Sequence, residues 1–237
     1  MPSVALFKIG NTYPRVVVVA SVRPAWKDPL ALKGMPSPAR PGRSVGKFGT
    51  ASSSRLPDCG VVEPIEISVP GLLLRPWRPA DAAEVMRALR DPAIAQWNPS
   101  PGGADLSGAR TWVERRGDWS GGDHASFAVT DPATGTLLGS VSLHRTHDTD
   151  ASIGYWTVAP ARGRGIASRA VATATGWAFN QLGLHRVELC HAVANPASCR
   201  VAERAGYPLE GTLRQSHRYG DGRRYDEHIH GRLATDV

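Results

Sequence analysis

The chain has 237 residues, 41% hydrophobic and 21% charged, enough apolar side chain for one large domain or a domain plus an appendage. No apolar stretch approaches the roughly 20 residues of a membrane-spanning helix, and Arg23, Pro24 and Trp26 stand where a secretory cleavage site needs small residues. Three cysteines (Cys59, Cys190 and Cys199) form neither a disulfide framework nor a metal spacing, so a cytoplasmic chain without membrane contact is expected.

The net charge of +7 is uneven: residues 1–66 hold nine Lys/Arg against four Asp/Glu. One short strand is expected at Arg15–Ala20. The tract 34–57 follows, in which 13 of 24 residues are Gly, Pro or Ser. Such a composition does not repay the entropy of ordering, so residues 1–66 are expected to be a flexible basic segment, or an extension that translation does not include. Its basic residues are scattered without interleaved aromatics, so no nucleic-acid partner is expected.

From Ile67 the pattern sharpens. Leu72–Arg75 suits a strand, and Asp81 with Glu84 has capping-box spacing before the apolar series Ala82, Val85, Met86 and Leu89. A second helix fits 106–116, with Leu106, Ala109, Trp112 and Val113 on one side. Strand patterns then cover 125–130, 137–144 and 152–158, separated by short polar turns that favour antiparallel pairing. Ile166–Leu182 has helical apolar spacing and a stop at Gly183. Residues 186–194 suit a strand, and Asn195-Pro196 opens a helix that Gly206 closes. Two last strands flank Gly220-Asp-Gly222, a hairpin turn. The fold class is α/β, with a mixed, mostly antiparallel sheet flanked by helices.

The segment Tyr155-Trp-Thr-Val-Ala-Pro-Ala-Arg-Gly-Arg-Gly-Ile-Ala167 carries the chemistry. A strand enters a turn with two glycines and two arginines, and the turn enters a helix. Unpaired amides and the macrodipole at the helix start, close backbone approach at glycine, and Arg162 and Arg164 describe an anion site, most naturally for a diphosphate. No Gly-Lys-Ser/Thr follows, so this is not a Walker loop, and the glycine spacing is wrong for a dinucleotide fingerprint.

Arg162-x-x-Gly165-x-Ala167 resembles the Q/R-x-x-G-x-G/A motif of the GCN5-related N-acetyltransferase (GNAT) superfamily. Asn195-Pro-Ala-Ser198, Arg204-Ala-Gly-Tyr207, Glu210-Gly211, Ile153-Gly-Tyr-Trp156 and the opening Leu74-Arg-Pro-Trp-Arg-Pro-Ala-Asp81 are similar to its ribosomal-protein (RimJ/RimL-like) branch. The resemblance covers residues 67–237. It implies direct acetyl transfer from acetyl-CoA, as cosubstrate, to an amine in a ternary complex, on a sheet splayed between the strand ending near Val158 and the strand 186–194. Thr157 and Val158 would supply main-chain groups to the pantetheine, one N–H polarising the thioester carbonyl. The diphosphate would lie over Arg162, Gly163, Arg164, Gly165, Ile166, Ala167 and Ser168. Asn195 reads either as a pantetheine contact or as a plain helix cap.

The resemblance also makes Ser198 a candidate general acid toward the thiolate, against a simple polar residue in a first helical turn. Where one relative carries a glutamate base, this chain has His217, a candidate base or an exposed, hydrogen-bonded histidine. His144 and Glu188 are rival bases. The pair His144/His147 lacks a third ligand, and His228 with His230 reads as a surface face of the last strand, so no metal is expected. The acceptor would enter over 96–105 and the hairpin 218–225, whose Arg218, Arg223 and Arg224 disfavour a polycation. A protein N-terminus is the leading acceptor, with a small-molecule or antibiotic amine as alternative and a non-catalytic acyl-CoA-binding module as a third reading. The chain is expected to act as a monomer or homodimer.

Overall fold

The computed structural model describes residues 62–100, 105–147 and 149–236, with side-chain detail except at His147, and the backbone of 4–9 and 15–20. The expectations for 1–66 therefore fall almost entirely outside the described residues. The strand at Arg15–Ala20 (β2) is present, and it forms a two-stranded sheet with Val4–Ile9 (β1).

The main sheet begins with the hairpin of Ile67–Val69 (β3) and Leu72–Pro76 (β4). Ala82–Leu89 (α1), Pro92–Trp97 (α2) and Leu106–Gly117 (α3) follow. Next come His124–Thr130 (β5), Leu137–His147 (β6) and Asp150–Thr157 (β7), an antiparallel meander. Ile166–Gln181 (α4), Arg186–Ala192 (β8), Pro196–Arg204 (α5), Leu209–Arg218 (β9) and Arg224–Leu233 (β10) complete the chain. The sheet has eight strands in the order β3-β4-β5-β6-β7-β8-β10-β9, antiparallel except where β7 meets β8.

Two elements escape the sequence pattern because they are short: β3 has three residues and α2 six. Asp81 stands at the N-cap of α1 as its spacing suggests, but its side chain makes no cap bond to that helix. Its carboxylate takes both guanidinium nitrogens of Arg75 at 2.8 Å and the Arg78 amide at 2.8 Å, so it fastens β4 to the start of α1 from inside the core.

The sheet buries both faces, as strand alternation requires. Phe127, Val129, Val141 and Ile153 join Ala170, Val171, Ala174 and Ala178 of α4 in one cluster. Ala128, Leu137 and Trp156 join Val85, Leu89, Ala109, Trp112 and Val113 of α1 and α3 in the other. Trp77 meets Trp112 edge-on at 4.9 Å, closing that layer. Among the described residues no helix is long and apolar enough to cross a membrane.

Candidate functional site

β7 and β8 run parallel but pair only at Asp150–Arg186, Ala151–Val187 and Ser152–Glu188. Beyond Ser152 the strands separate, while β8 stays paired to β10 as far as Ala192. A cleft of about 370 Å³ opens in the gap, bounded by β7, the heads of α4 and α5, α2 and Tyr219.

The glycine turn shapes its floor. Gly163 and Gly165 have φ of +73° and +71°, a left-handed conformation that a side chain resists. Gly165 caps α4, and its carbonyl accepts from the Arg169 amide at 3.2 Å and the Ser168 hydroxyl at 3.1 Å. The amides of the first turn of α4 have no helical acceptor and carry the positive end of the dipole, an anion cradle. Gly163, Gly165, Ile166, Ala167 and Ser168 all line the cleft; Arg164 is exposed and does not.

Arg162 has a structural engagement. It ion-pairs with Asp91 at 2.6 Å and donates from Nε to the Thr157 carbonyl at 3.2 Å. Asp91 also caps α2 through the Ala93 and Ile94 amides. Burial raises the Asp91 carboxyl, but Arg162 and these amides outweigh it and hold the group below the usual carboxylate range. α2 is thus tied to the phosphate turn.

Val158 is corrected as a source of free main-chain groups. Its N–H donates to Leu138 at 3.0 Å and its carbonyl accepts from Ala161 at 2.9 Å. Strand alternation turns its neighbours the other way: the Thr157 carbonyl meets Arg162, and the Tyr155 carbonyl accepts from Asn98 Nδ2 at 3.3 Å. Thr157 therefore presents the cleft-side N–H.

Ser198 lies at the head of α5, 6% exposed. Its Oγ accepts from the Tyr155 hydroxyl at 2.9 Å and from Asn195 Nδ2 at 3.1 Å. Both lone pairs are occupied, so the serine's own proton is left to donate. Asn195 caps α5 through Oδ1 on the Ser198 amide at 3.4 Å, so one side chain both caps the helix and orients Ser198. Tyr155, which no motif flagged by role, has its phenol pushed above its ordinary value by burial, against the pull of the Ser198 bond.

His217 is buried at 5% exposure and does not line the cleft; its ring is edge-on to Tyr219 at 4.8 Å. Tyr219 faces the cleft, and its hydroxyl donates to Glu227 at 3.3 Å. Glu227 is fully buried and also accepts from the Ser216 hydroxyl. Sequence reasoning missed Glu227; its position opposite Leu213 in the hairpin ladder emerges only with the register.

The rival bases lie elsewhere. His144 takes Arg116 Nη1 on Nε2 at 2.7 Å within the core. Burial, then Arg116 and His124, hold His144 well below 6.5, and burial with Arg115 brings Arg116 down to about 10. Glu188 pairs with Arg186, which also holds Glu210. His191 lines the cleft with Nδ1 on the Ala192 carbonyl and Nε2 at 3.2 Å from His230 Nε2, and burial above all pushes it down to about 4. His230 is 1% exposed, so the surface reading of the His228/His230 face is corrected.

The tip of the last hairpin packs on α2. Gly220 donates to the Gln96 carbonyl at 2.9 Å, and any Cβ there collides with the Ala95 carbonyl. Trp97 meets Tyr219 and Tyr225 edge-on at 5.4 and 5.7 Å. Residues 101–104 of the expected acceptor loop lie outside the described residues.

A profile of the acetyltransferase (GNAT) domain matches residues 71–208, more than half of the chain. YdaF of Bacillus subtilis (strain 168), whose assigned name is that of a ribosomal N-acetyltransferase, is 38% identical over 94 residues, 39% of this chain and 51% of that one. The chain spans about half the length of the curated relatives it matches. Mycobacterium smegmatis RimJ, solved in complex with CoA-disulfide, is 27% identical, covers 73% of this chain and 88% of its own, and gives a TM-score of 0.66. A ribosomal-protein-S5-alanine acetyltransferase from Vibrio fischeri shares the fold at 20% identity, with TM-score 0.65 over 73% of this chain and 98% of that one. With its splayed sheet and glycine-headed α4, the chain belongs to the GNAT acetyltransferase domain family.

Proposed function

We propose that the protein moves acetyl from acetyl-CoA to a protein N-terminal α-amine by direct transfer in a ternary complex. The observation that carries this reading is the splay at Ser152–Glu188, which leaves a free strand edge and a helix N-terminus on one cleft. The donor's diphosphate fits the amides at the head of α4, and Arg200 and Arg204, one turn apart on α5, line the same cleft with positive charge. The pantetheine arm fits along β7 as an added strand, with the Thr157 N–H toward the thioester carbonyl.

An amine is protonated at neutral pH and must lose a proton before it attacks. Glu227, reached through the Tyr219 hydroxyl, accepts it: the amine's proton passes to the phenol oxygen while the phenol's proton passes to the carboxylate. His217 packs against that phenol and is the competing base. The C–N bond forms as the C–S bond breaks, and Ser198 gives its proton to the departing thiolate. The hairpin's Arg218, Arg223 and Arg224 disfavour polycationic acceptors and leave a singly charged terminus acceptable.

Steady-state thiol release with Ala- and Ser-starting peptides, set against a panel of small amines, tests this reading. Turnover on peptides supports it. Turnover confined to small amines, or CoA binding with no turnover on any amine, overturns it.

A further inference from the structure

Three histidines and a cysteine converge where β8, β10 and α5 meet. β10 pairs with β8 so that His228 stands opposite His191, His230 lies two positions on, and Cys199 follows Ser198 on α5. One side-chain donor atom from each of the four lies within 4.8 Å of the others.

Proton bookkeeping on the inner pair leaves a gap. His191 Nδ1 is 2.8 Å from the Ala192 carbonyl oxygen, and His230 Nδ1 is 3.0 Å from that of Tyr207. A carbonyl only accepts, so both Nδ1 atoms carry hydrogen. A neutral imidazole has one N–H, so both Nε2 atoms present lone pairs, and they face each other at 3.2 Å. Buried lone pairs at that distance repel, and the site calls for a positive centre between them. Tetrahedral zinc, with Zn–N of about 2.0–2.1 Å, sets its nitrogens roughly 3.3–3.4 Å apart. A backbone carbonyl on Nδ1–H is also the usual way a zinc-bound imidazole is fixed. His228 Nδ1 is buried with no hydrogen-bond partner among the described residues, and Cys199 Sγ, whose hydrogen reaches Glu203 Oε1 at 3.6 Å, supplies a soft fourth donor once that proton leaves.

We propose that His191, His228, His230 and Cys199 bind one zinc ion. Four protein ligands leave no open position, so the site is structural. The ion holds the head of α5 to β8 and β10, and because Cys199 adjoins Ser198 it fixes where that hydroxyl sits. Cys199 binds as thiolate and releases its proton on metal uptake. This proposal is independent of which acceptor amine the cleft takes.

The test uses untagged full chain, stripped with chelator, equilibrated with zinc and desalted, with metal measured by mass spectrometry. A parallel sample takes cobalt and is read by its tetrahedral-site visible bands and thiolate charge transfer. The wild type should retain about one zinc per chain and melt at higher temperature with zinc. C199S/H228Q, which spares the buried pair, should lose affinity by more than the roughly 10–100-fold typical of losing an outer hydrogen-bond partner, and its melting should not respond. A wild type that keeps no zinc and melts unchanged overturns the proposal. So does equal retention by the double variant, or a proton shared between His191 and His230 in zinc-saturated samples.

Discussion

The Tyr155 hydroxyl donates to Ser198 Oγ at 2.9 Å, joining the free edge of β7 to the head of α5 across the splay. With Asn195 Nδ2 on the same oxygen at 3.1 Å, the serine accepts twice and keeps its own proton to donate, on a residue that lines the cleft. Ser198→Ala should lower kcat about 100-fold or more, the usual worth of a positioned proton donor. Tyr155→Phe should lower it about two- to tenfold, the worth of one neutral hydrogen bond. In both, KM for acetyl-CoA should stay near the wild-type value. A changed KM with unchanged kcat would make Ser198 a binding residue.

The proton acceptor is decided by two variants. A general base works only when deprotonated, so it imposes a rate that rises with pH on the acid side. Glu227→Gln should cost about 100-fold and flatten that limb, because the Tyr219 hydroxyl keeps a partner but loses its acceptor of protons. His217→Ala should lower the rate mildly and keep the limb. The reverse pattern would make His217 the base and Glu227 a structural carboxylate.

Gly165 holds φ +71° at the cap of α4. Replacing it with valine forces a β-branched residue into the left-handed region, at about 1–3 kcal/mol of strain. The turn should relax by moving its amides, weakening acetyl-CoA at least about tenfold by calorimetry, with kcat at saturation less affected. Unchanged affinity would remove the phosphate cradle from this turn.

His144 is buried and neutral against Arg116, its folded pKa well below the ordinary 6.5. Below that value the unfolded chain binds a proton that the folded chain refuses, so stability falls as pH drops. The loss begins near 6.5 and continues down to the folded value. His144→Gln keeps an acceptor for Arg116 and does not titrate. Its melting temperature should decline less steeply than wild type between neutral pH and pH ~5; parallel curves would rule out this source.

Val62 is 7% exposed and Ile65 packs on the same core cluster, so the folded unit begins before the first strand of the main sheet. Deleting residues 1–60 should leave melting and turnover unchanged. Deleting 1–66 should cost about 1.5–3 kcal/mol for Val62 alone. Loss of folding in the shorter deletion would make the N-terminal segment part of the structural unit.

Local chemistry wrote much of this protein into its sequence. The helices α3, α4 and α5 announce themselves by apolar spacing, α5 also by Asn195 at its cap, and α4 and α5 by Gly183 and Gly206 at their ends. The glycine turn is legible because its physics is local: positive φ and free amides need only a few consecutive residues. What required tertiary structure were the pairings between distant segments. Arg162 lines the cleft as its motif suggests, but only the fold shows that its guanidinium also pairs with Asp91, 71 positions away. Val158 looks available until the register of β6 against β7 engages it, and Glu227 is one acid among many until the hairpin buries it beside Tyr219. His228 and His230 show in the sequence only as a pair on one strand face, and the sheet order is what brings their donor atoms to those of His191 and Cys199. Sequence patterns record contacts within a turn or two of chain; a site assembled across strands depends on register, which is set by the packing of the whole core.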